Sequence, residues 1–138
     1  MQSVDTPPDV DALVQLSFTV QLVLTRIATE HDLSVTQLRM LGILRDRTPT
    51  MAQIADYLEL DRSSVSGLVD RAERRGLVAR RPSEKDARVT LVEATPGGFA
   101  VGERIAAAVT SGIQALLEGS PRSEVDAVMR LSARATHS

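Results

Sequence analysis

Between Arg62 and Arg88 the chain places eight basic side chains (Arg62, Arg71, Arg74, Arg75, Arg80, Arg81, Lys85 and Arg88) against four acids (Asp70, Glu73, Glu84 and Asp86). That stretch is net +4 in a chain of formal charge −2, so the remainder carries −6. Cations collected on one segment are chemistry for polyanions: they pair with phosphate oxygens, and arginine also reads guanine edges. At the head of the segment stand Ser63, Ser64, Ser66 and Gly67, small groups that let a helix approach base edges closely. The plain alternatives are that serines after an aspartate are helix-start chemistry, and that Asp86 with Arg88 is a solvated ion pair contributing less than about 1 kcal/mol.

Other chemistries lack their residues. The absence of cysteine removes disulfides, thiol redox sensing and cysteine metal sites. The two histidines, His31 and His137, lie far apart; His31 reads as a surface loop residue between Glu30 and Asp32. Neither has a nucleophile pattern nearby, and no glycine-rich phosphate loop follows a strand, so neither enzymatic activity nor a metal or cofactor is expected. With 43% apolar and 25% charged residues in 138, the chain has the balance of one folded domain. The start MQSVDTPPDVD lacks the basic and apolar parts of a secretory signal, and no apolar run reads as the roughly 18 residues of a membrane span. A cytoplasmic protein with no membrane partner is expected.

The elements that must position these groups follow from periodicity and caps. After a frayed lead-in over residues 1–8, a helix from Asp9 to about Thr29 carries Val10, Leu13, Val14, Phe18, Val20, Leu24 and Ile27, with Leu16, Leu22 and Val23 between them. It is apolar on more than one face, which in so small a protein asks for cover by a second subunit. Ser34-x-x-Gln37 and Thr50-x-x-Gln53 are capping boxes opening helices two and three. Their predicted core positions are Leu38, Leu41, Ile43 and Leu44, then Ala52, Ile54, Ala55 and Leu58. Asp61 caps a fourth helix that Gly76 closes, with Val65, Leu68, Val69 and Ala72 facing inward. Runs 77–81 and 89–92 read as a hairpin with a charged tip at 82–87. Thr95-Pro96 opens a long helix ended by Gly119, and Ser120-Pro121 a last one with Val125, Val128, Met129 and Leu131 on its apolar face.

The fold class is therefore mainly α: a winged helix-turn-helix with a two-stranded β-hairpin wing, flanked by N- and C-terminal helices. In such a fold the exposed start of the second helix of the pair enters a major groove about 12 Å wide, and an arginine on the wing suits the minor groove. The residues expected to contact double-stranded DNA are Arg62, Ser63, Ser64, Ser66, Gly67, Arg71, Arg80, Lys85, Asp86 and Arg88.

The stretch Leu38 to Gly98 resembles the DNA-binding core of the MarR family of bacterial regulators. The resemblance rests on Leu60-Asp61-Arg62-Ser63-Ser64-Val65-Ser66-Gly67-Leu68-Val69-Asp70-Arg71, on Arg75-Gly76-Leu77-Val78-Ala79-Arg80, on Asp86-Ala87-Arg88, and on Ala94-Thr95-Pro96-Gly97-Gly98. Residue 94 is alanine where the family usually has leucine. The resemblance implies a homodimer whose outer helices, within residues 1–33 and 99–138, interlock, and whose cores, residues 34–98, read a pseudo-palindromic operator, as a repressor. It places Arg88 in the minor groove with Asp86 orienting it. It also implies a small aromatic or anionic effector, for which Phe18, Phe99 and Tyr57 are the only aromatic side chains here. The competing reading is a winged helix that binds proteins and not DNA.

Overall fold

The computed structural model describes residues 5–137. Its elements are α1 (Pro8–Glu30), α2 (Val35–Leu44), α3 (Met51–Leu58), α4 (Arg62–Arg74), β1 (Val78–Pro82), β2 (Thr90–Ala94), α5 (Pro96–Leu117) and α6 (Arg122–Thr136). The expected lead-in falls partly on residues 1–4, outside the described residues; α1 already starts at Pro8, with proline at its first position, where the missing N–H costs nothing.

Local chemistry explains most boundaries. Both capping boxes form: Ser34 Oγ accepts from the Gln37 N–H and Thr50 Oγ1 from the Gln53 N–H, each at 3.1 Å, while each glutamine side chain accepts in return from the backbone N–H of its cap. Three helices end in the same left-handed turn, with Asp32 (φ 55°), Glu59 (φ 54°) and Gly76 (φ 72°) at the bend. In each, the next N–H, that of Leu33, Leu60 or Leu77, reaches back five residues to Ala28, Ala55 or Ala72. The leucine that follows the bend packs on or against the core, the usual companion of this termination.

The core joins Met40, Leu44, Ile54, Val65, Val69, Val78 and Val92. All four inward positions expected on α4 are buried. On α2 the buried stripe is Gln37, Met40, Leu41 and Leu44, whereas Leu38 and Ile43 are only half-buried. The buried set follows the i, i+3, i+4, i+7 spacing of one face, and Gln37 belongs to it because the carbonyl end of its carboxamide is consumed by the cap. Ala52, expected on the inner face of α3, is exposed.

The hairpin runs slightly later than the β-prone residues suggest. Val78 pairs with Ala94, Arg80 with Val92 and Pro82 with Thr90. Leu77 is withdrawn from the strand because its N–H closes α4, and pairing continues to Ala94 because the Thr95 N–H donates to the Leu77 carbonyl at 3.1 Å. Thr50 bridges Leu91, and the Val92 N–H donates to the Pro49 carbonyl at 2.9 Å, tying the wing to the start of α3.

The helices outside this core are poorly covered. Val14, Phe18 and Leu22, at i, i+4 and i+8 on one face of α1, are exposed, as are Leu13 and Leu16. No residue of α6 is buried, and Val128, Met129 and Leu131 are open to solvent. Contrary to what its apolar runs suggest, α1 is long and apolar enough, by length and composition, to cross a membrane. Its polar positions had masked that, but Ser17, Thr19 and Thr29 return their hydroxyls to helix carbonyls at 2.7 to 3.1 Å, which makes the helix less polar than its letters suggest.

Candidate nucleic-acid interface

Asp61 organises the start of α4. Its Oδ1 accepts from the Ser64 N–H at 2.7 Å and from Ser63 Oγ at 2.8 Å. Ser63 is thus committed to the cap, while Ser64 remains exposed and Ser66 half-buried. The Ser64 N–H, and then the two serine side chains, hold the Asp61 carboxyl below the usual carboxylate range. A folded-state value below the unfolded value of 3.8 means that the ionised cap stabilises the fold above that pH and loses its contribution as the pH falls through the folded value. Asp61→Ala is therefore expected to lower Tm at neutral pH, with the gap to the parent narrowing below about pH 4 and with Asp61→Ser recovering most of it. A gap that persists in acid would show that the carboxylate charge is not what caps the helix.

Beyond the cap, Arg62 and Ser66 face the wing. With Thr50, Met51 and Ala52 at the start of α3, and with Arg88, Val89 and Thr90 on the wing, they border an open cleft of about 550 Å³. The start of α3 is a wall that reading the sequence for basic residues overlooked; its capping box was the available signal.

At the wing tip the Arg88 N–H donates to Asp86 Oδ1 at 3.0 Å, Nε to Oδ1 at 3.2 Å and Nη2 to Oδ2 at 3.4 Å. The Arg88 side chain nevertheless remains 91% exposed. Its guanidinium, and then its backbone N–H, depress the Asp86 carboxyl, so the pair is charged at neutral pH. Asp86 thus fixes the direction of a guanidinium presented almost wholly to solvent. Lys85 is exposed beside it, its N–H on Ser83 Oγ at 3.3 Å.

Arg80 departs from the expected set. Its guanidinium donates to Asp70 at 2.6 Å, to Glu73 at 2.9 Å and to the Ser66 carbonyl at 3.5 Å, with its side chain 27% exposed. The Asp70 hydrogen bond foremost raises its pKa. It braces β1 against α4 and has little left to offer a ligand. On the opposite flank Arg71 is exposed, and a Cβ at Gly67 would stand 3.2 Å from its Nη1, so the glycine gives Arg71 room to lie back along the helix. Among the described residues no group of three or more His, Cys, Asp or Glu could hold a metal.

A capped helix pair whose second helix exposes a basic start, followed by a two-stranded wing, defines a winged helix-turn-helix protein. Residues 31–89, a little over two-fifths of the chain, match the model of the MarR family.

Over 88 residues the chain is 38% identical to the transcriptional activatory protein BadR of Rhodopseudomonas palustris, covering 59% of this chain and 49% of BadR. Over 100 residues it is 28% identical to the HTH-type transcriptional regulator PecS of Dickeya dadantii, covering 70% and 60%. The chain thus spans about half to three-fifths of the length of these two relatives. Among solved structures, a MarR-family regulator from Rhodococcus sp. RHA1 superposes with a TM-score of 0.81 at 25% identity, covering 97% of this chain and 96% of that one. Wild-type MarR from E. coli gives 0.78 at 22%, covering 96% and 98%. CouR from Rhodococcus jostii RHA1, solved bound to p-coumaroyl-CoA, gives 0.78 at 26%, covering 91% and 88%.

Proposed function

We propose that the chain is a sequence-specific DNA-binding transcriptional regulator that works in the cytoplasm as a homodimer, repressing from a pseudo-palindromic operator. The observation that carries this reading is the convergence of Arg62 and Ser66, on α4, with Arg88, on the wing, around one open cleft. Residues 34–98 form the reading core; Ser64, Ser66 and Gly67 approach base edges, Lys85 and Arg88 reach the adjacent groove or backbone, and Asp86 and Arg80 hold the wing in position. Residues 1–33 and 99–138 form the dimer, supported by the uncovered faces of α1 and α6. A small aromatic or anionic molecule is the effector class, a reading supported by CouR having been solved bound to p-coumaroyl-CoA.

The test is a mobility shift with DNA from upstream of the gene, against scrambled competitor, at two salt concentrations. Competitor-resistant, salt-sensitive binding by two protomers supports the reading. Salt-insensitive behaviour with no duplex preference points instead to a protein-interaction module. Within this assay Arg88→Ala is expected to weaken binding to every duplex and to flatten log affinity against log salt by roughly 0.9 for each phosphate it no longer neutralises. Its melting curve should be unchanged, because the side chain rests on the surface. Unaltered affinity would remove the wing from the interface. A promoter reporter decides direction, since repression predicts higher output on deletion.

A further inference from the structure

Arg71, Arg74 and Arg75 leave α4 away from the wing and, with Asp32, Ser34 and Gln37, line a second open cleft of about 400 Å³ against the start of α2. Arg75 is spent there: Nη1 donates to the Asp32 carbonyl at 2.6 Å and Nη2 to the His31 carbonyl at 3.0 Å. The Arg71 and Arg74 guanidiniums have no hydrogen-bond or ion-pair partner among the described residues, in contrast to those of Arg80, Arg81 and Arg88, which each hold a carboxylate. The Asp32 carboxylate shares the cleft without pairing with any of the three, so the cleft is net cationic.

Two further donors face the same space. Gln37 is 8% exposed; its Oε1 accepts from the Ser34 N–H, which leaves its amide nitrogen with no protein partner among the described residues. The Ser34 hydroxyl oxygen accepts from the Gln37 N–H, and its proton is free to be donated. Two unpaired guanidiniums, an unpartnered amide N–H that reaches the cleft from a largely buried side chain, and a hydroxyl on a concave surface form a site for an oxyanion.

We infer that this cleft holds a phosphate of the DNA backbone, on the strand opposite the one reached from the wing side. The inference rests on the DNA-binding reading above and assigns the second wall of the groove. Ser66, facing the wing, and Arg71 are five residues apart, which at 100° per residue separates them by about 140° around α4. A helix in a major groove about 12 Å wide has a phosphate backbone on each side. The wing cleft serves one flank of α4, and the Arg71 and Arg74 cleft serves the other.

The experiment compares the full chain with Arg71→Gln/Arg74→Gln, with Arg88→Ala, and with the triple variant, using a short duplex of mixed sequence over a salt series. The two glutamines are expected to flatten the log affinity against log salt slope by roughly 0.9 per phosphate released, and the triple variant to show the sum of the two reductions. An unchanged slope, alongside a flattened one for Arg88→Ala, overturns the inference. A triple variant no flatter than either parent variant also overturns it, since both clefts would then hold the same phosphate. Failure of the full chain itself to bind the duplex would sink the DNA-binding reading, and this inference with it. A parallel melting series in inorganic phosphate against chloride at matched ionic strength identifies the other source. Phosphate-dependent stabilisation that the glutamines abolish, with the duplex slope unchanged, assigns the cleft to a free anion and overturns the backbone assignment.

Discussion

Phe18→Asp combined with Leu22→Asp is expected to give a folded monomer that no longer holds an operator stably. In the protomer these side chains are 59% and 71% exposed, so aspartate there meets water and leaves the core of Val23, Ile27 and Ala28 on the opposite face intact. In a two-fold dimer each position occurs twice. Burial of a phenylalanine or leucine side chain is worth about 1.5–3 kcal/mol, so four such substitutions remove roughly 6 kcal/mol or more of association free energy. Burying the new carboxylates would add to the deficit. At about 1.4 kcal/mol per decade, dimerisation weakens by on the order of ten-thousandfold or more. Each lobe would then bind its half-site alone, without the gain from tethering. Sedimentation and far-UV circular dichroism check the two halves of the expectation together. A variant that stays dimeric would place the interface elsewhere, with α6 and its exposed Met129 the next surface to test. Leu24, on the same helix, and Ile113, on α5, are poor choices for this purpose. Both are half-buried within the protomer, Ile113 against the core, so a charge there would damage the fold itself.

The second large effect is on stability. Gly98→Ala is expected to cost about 3 kcal/mol or more, at the upper end of overpacking substitutions, whereas Gly97→Ala one residue earlier is expected to be nearly neutral. A Cβ at Gly98 would fall 1.9 Å from the Leu77 carbonyl oxygen and 2.9 Å from its carbon, both backbone atoms. A Cβ at Gly97 would meet the Gly76 carbonyl at 3.4 Å, an ordinary contact. The backbone around Gly98 has no freedom to yield. The Leu77 carbonyl accepts from the Thr95 N–H at 3.1 Å, Thr95 Oγ1 donates to the Gly76 carbonyl, and the Gly98 N–H donates to Thr95 Oγ1 at 3.0 Å. One short segment therefore closes α4, begins β1 and starts α5. Thermal melts of the two alanine variants should differ by roughly 10 °C. Equal melting temperatures would mean that the helix start slides away from β1 at little cost, and that the close approach is not a constraint.

Both expectations bear on how much of this protein its sequence declares. The caps at Ser34, Thr50, Asp61 and Thr95, the bend at Gly76 and the inward face of α4 are local. Each depends on groups within a few residues along the chain, and residue types at fixed spacing specify them. The excess apolar surface of α1 is equally visible, because it is a property of one helix and not of its neighbours. The wing pair of Asp86 and Arg88 is readable for the same reason, its partners standing two positions apart in a tight turn.

What the sequence could not declare is which cations are already spent. Arg80 and Arg88 look alike as letters, yet Arg80 finds its partners 7, 10 and 14 residues away on α4, whereas Arg88 points outward. Arg75 is consumed by carbonyls 43 and 44 residues earlier, and that pairing brings the start of α2 beside the unpaired Arg71 and Arg74. The burial of Gln37 and the closure at Gly98 belong to the same category, set by packing between distant segments. The order of helices, their caps and the location of the charge are legible in residue types at fixed spacing along the chain. Which guanidiniums remain free and which surfaces converge is settled by packing, because a hydrogen bond is satisfied by whatever lies within about 3 Å in space, at any distance along the chain.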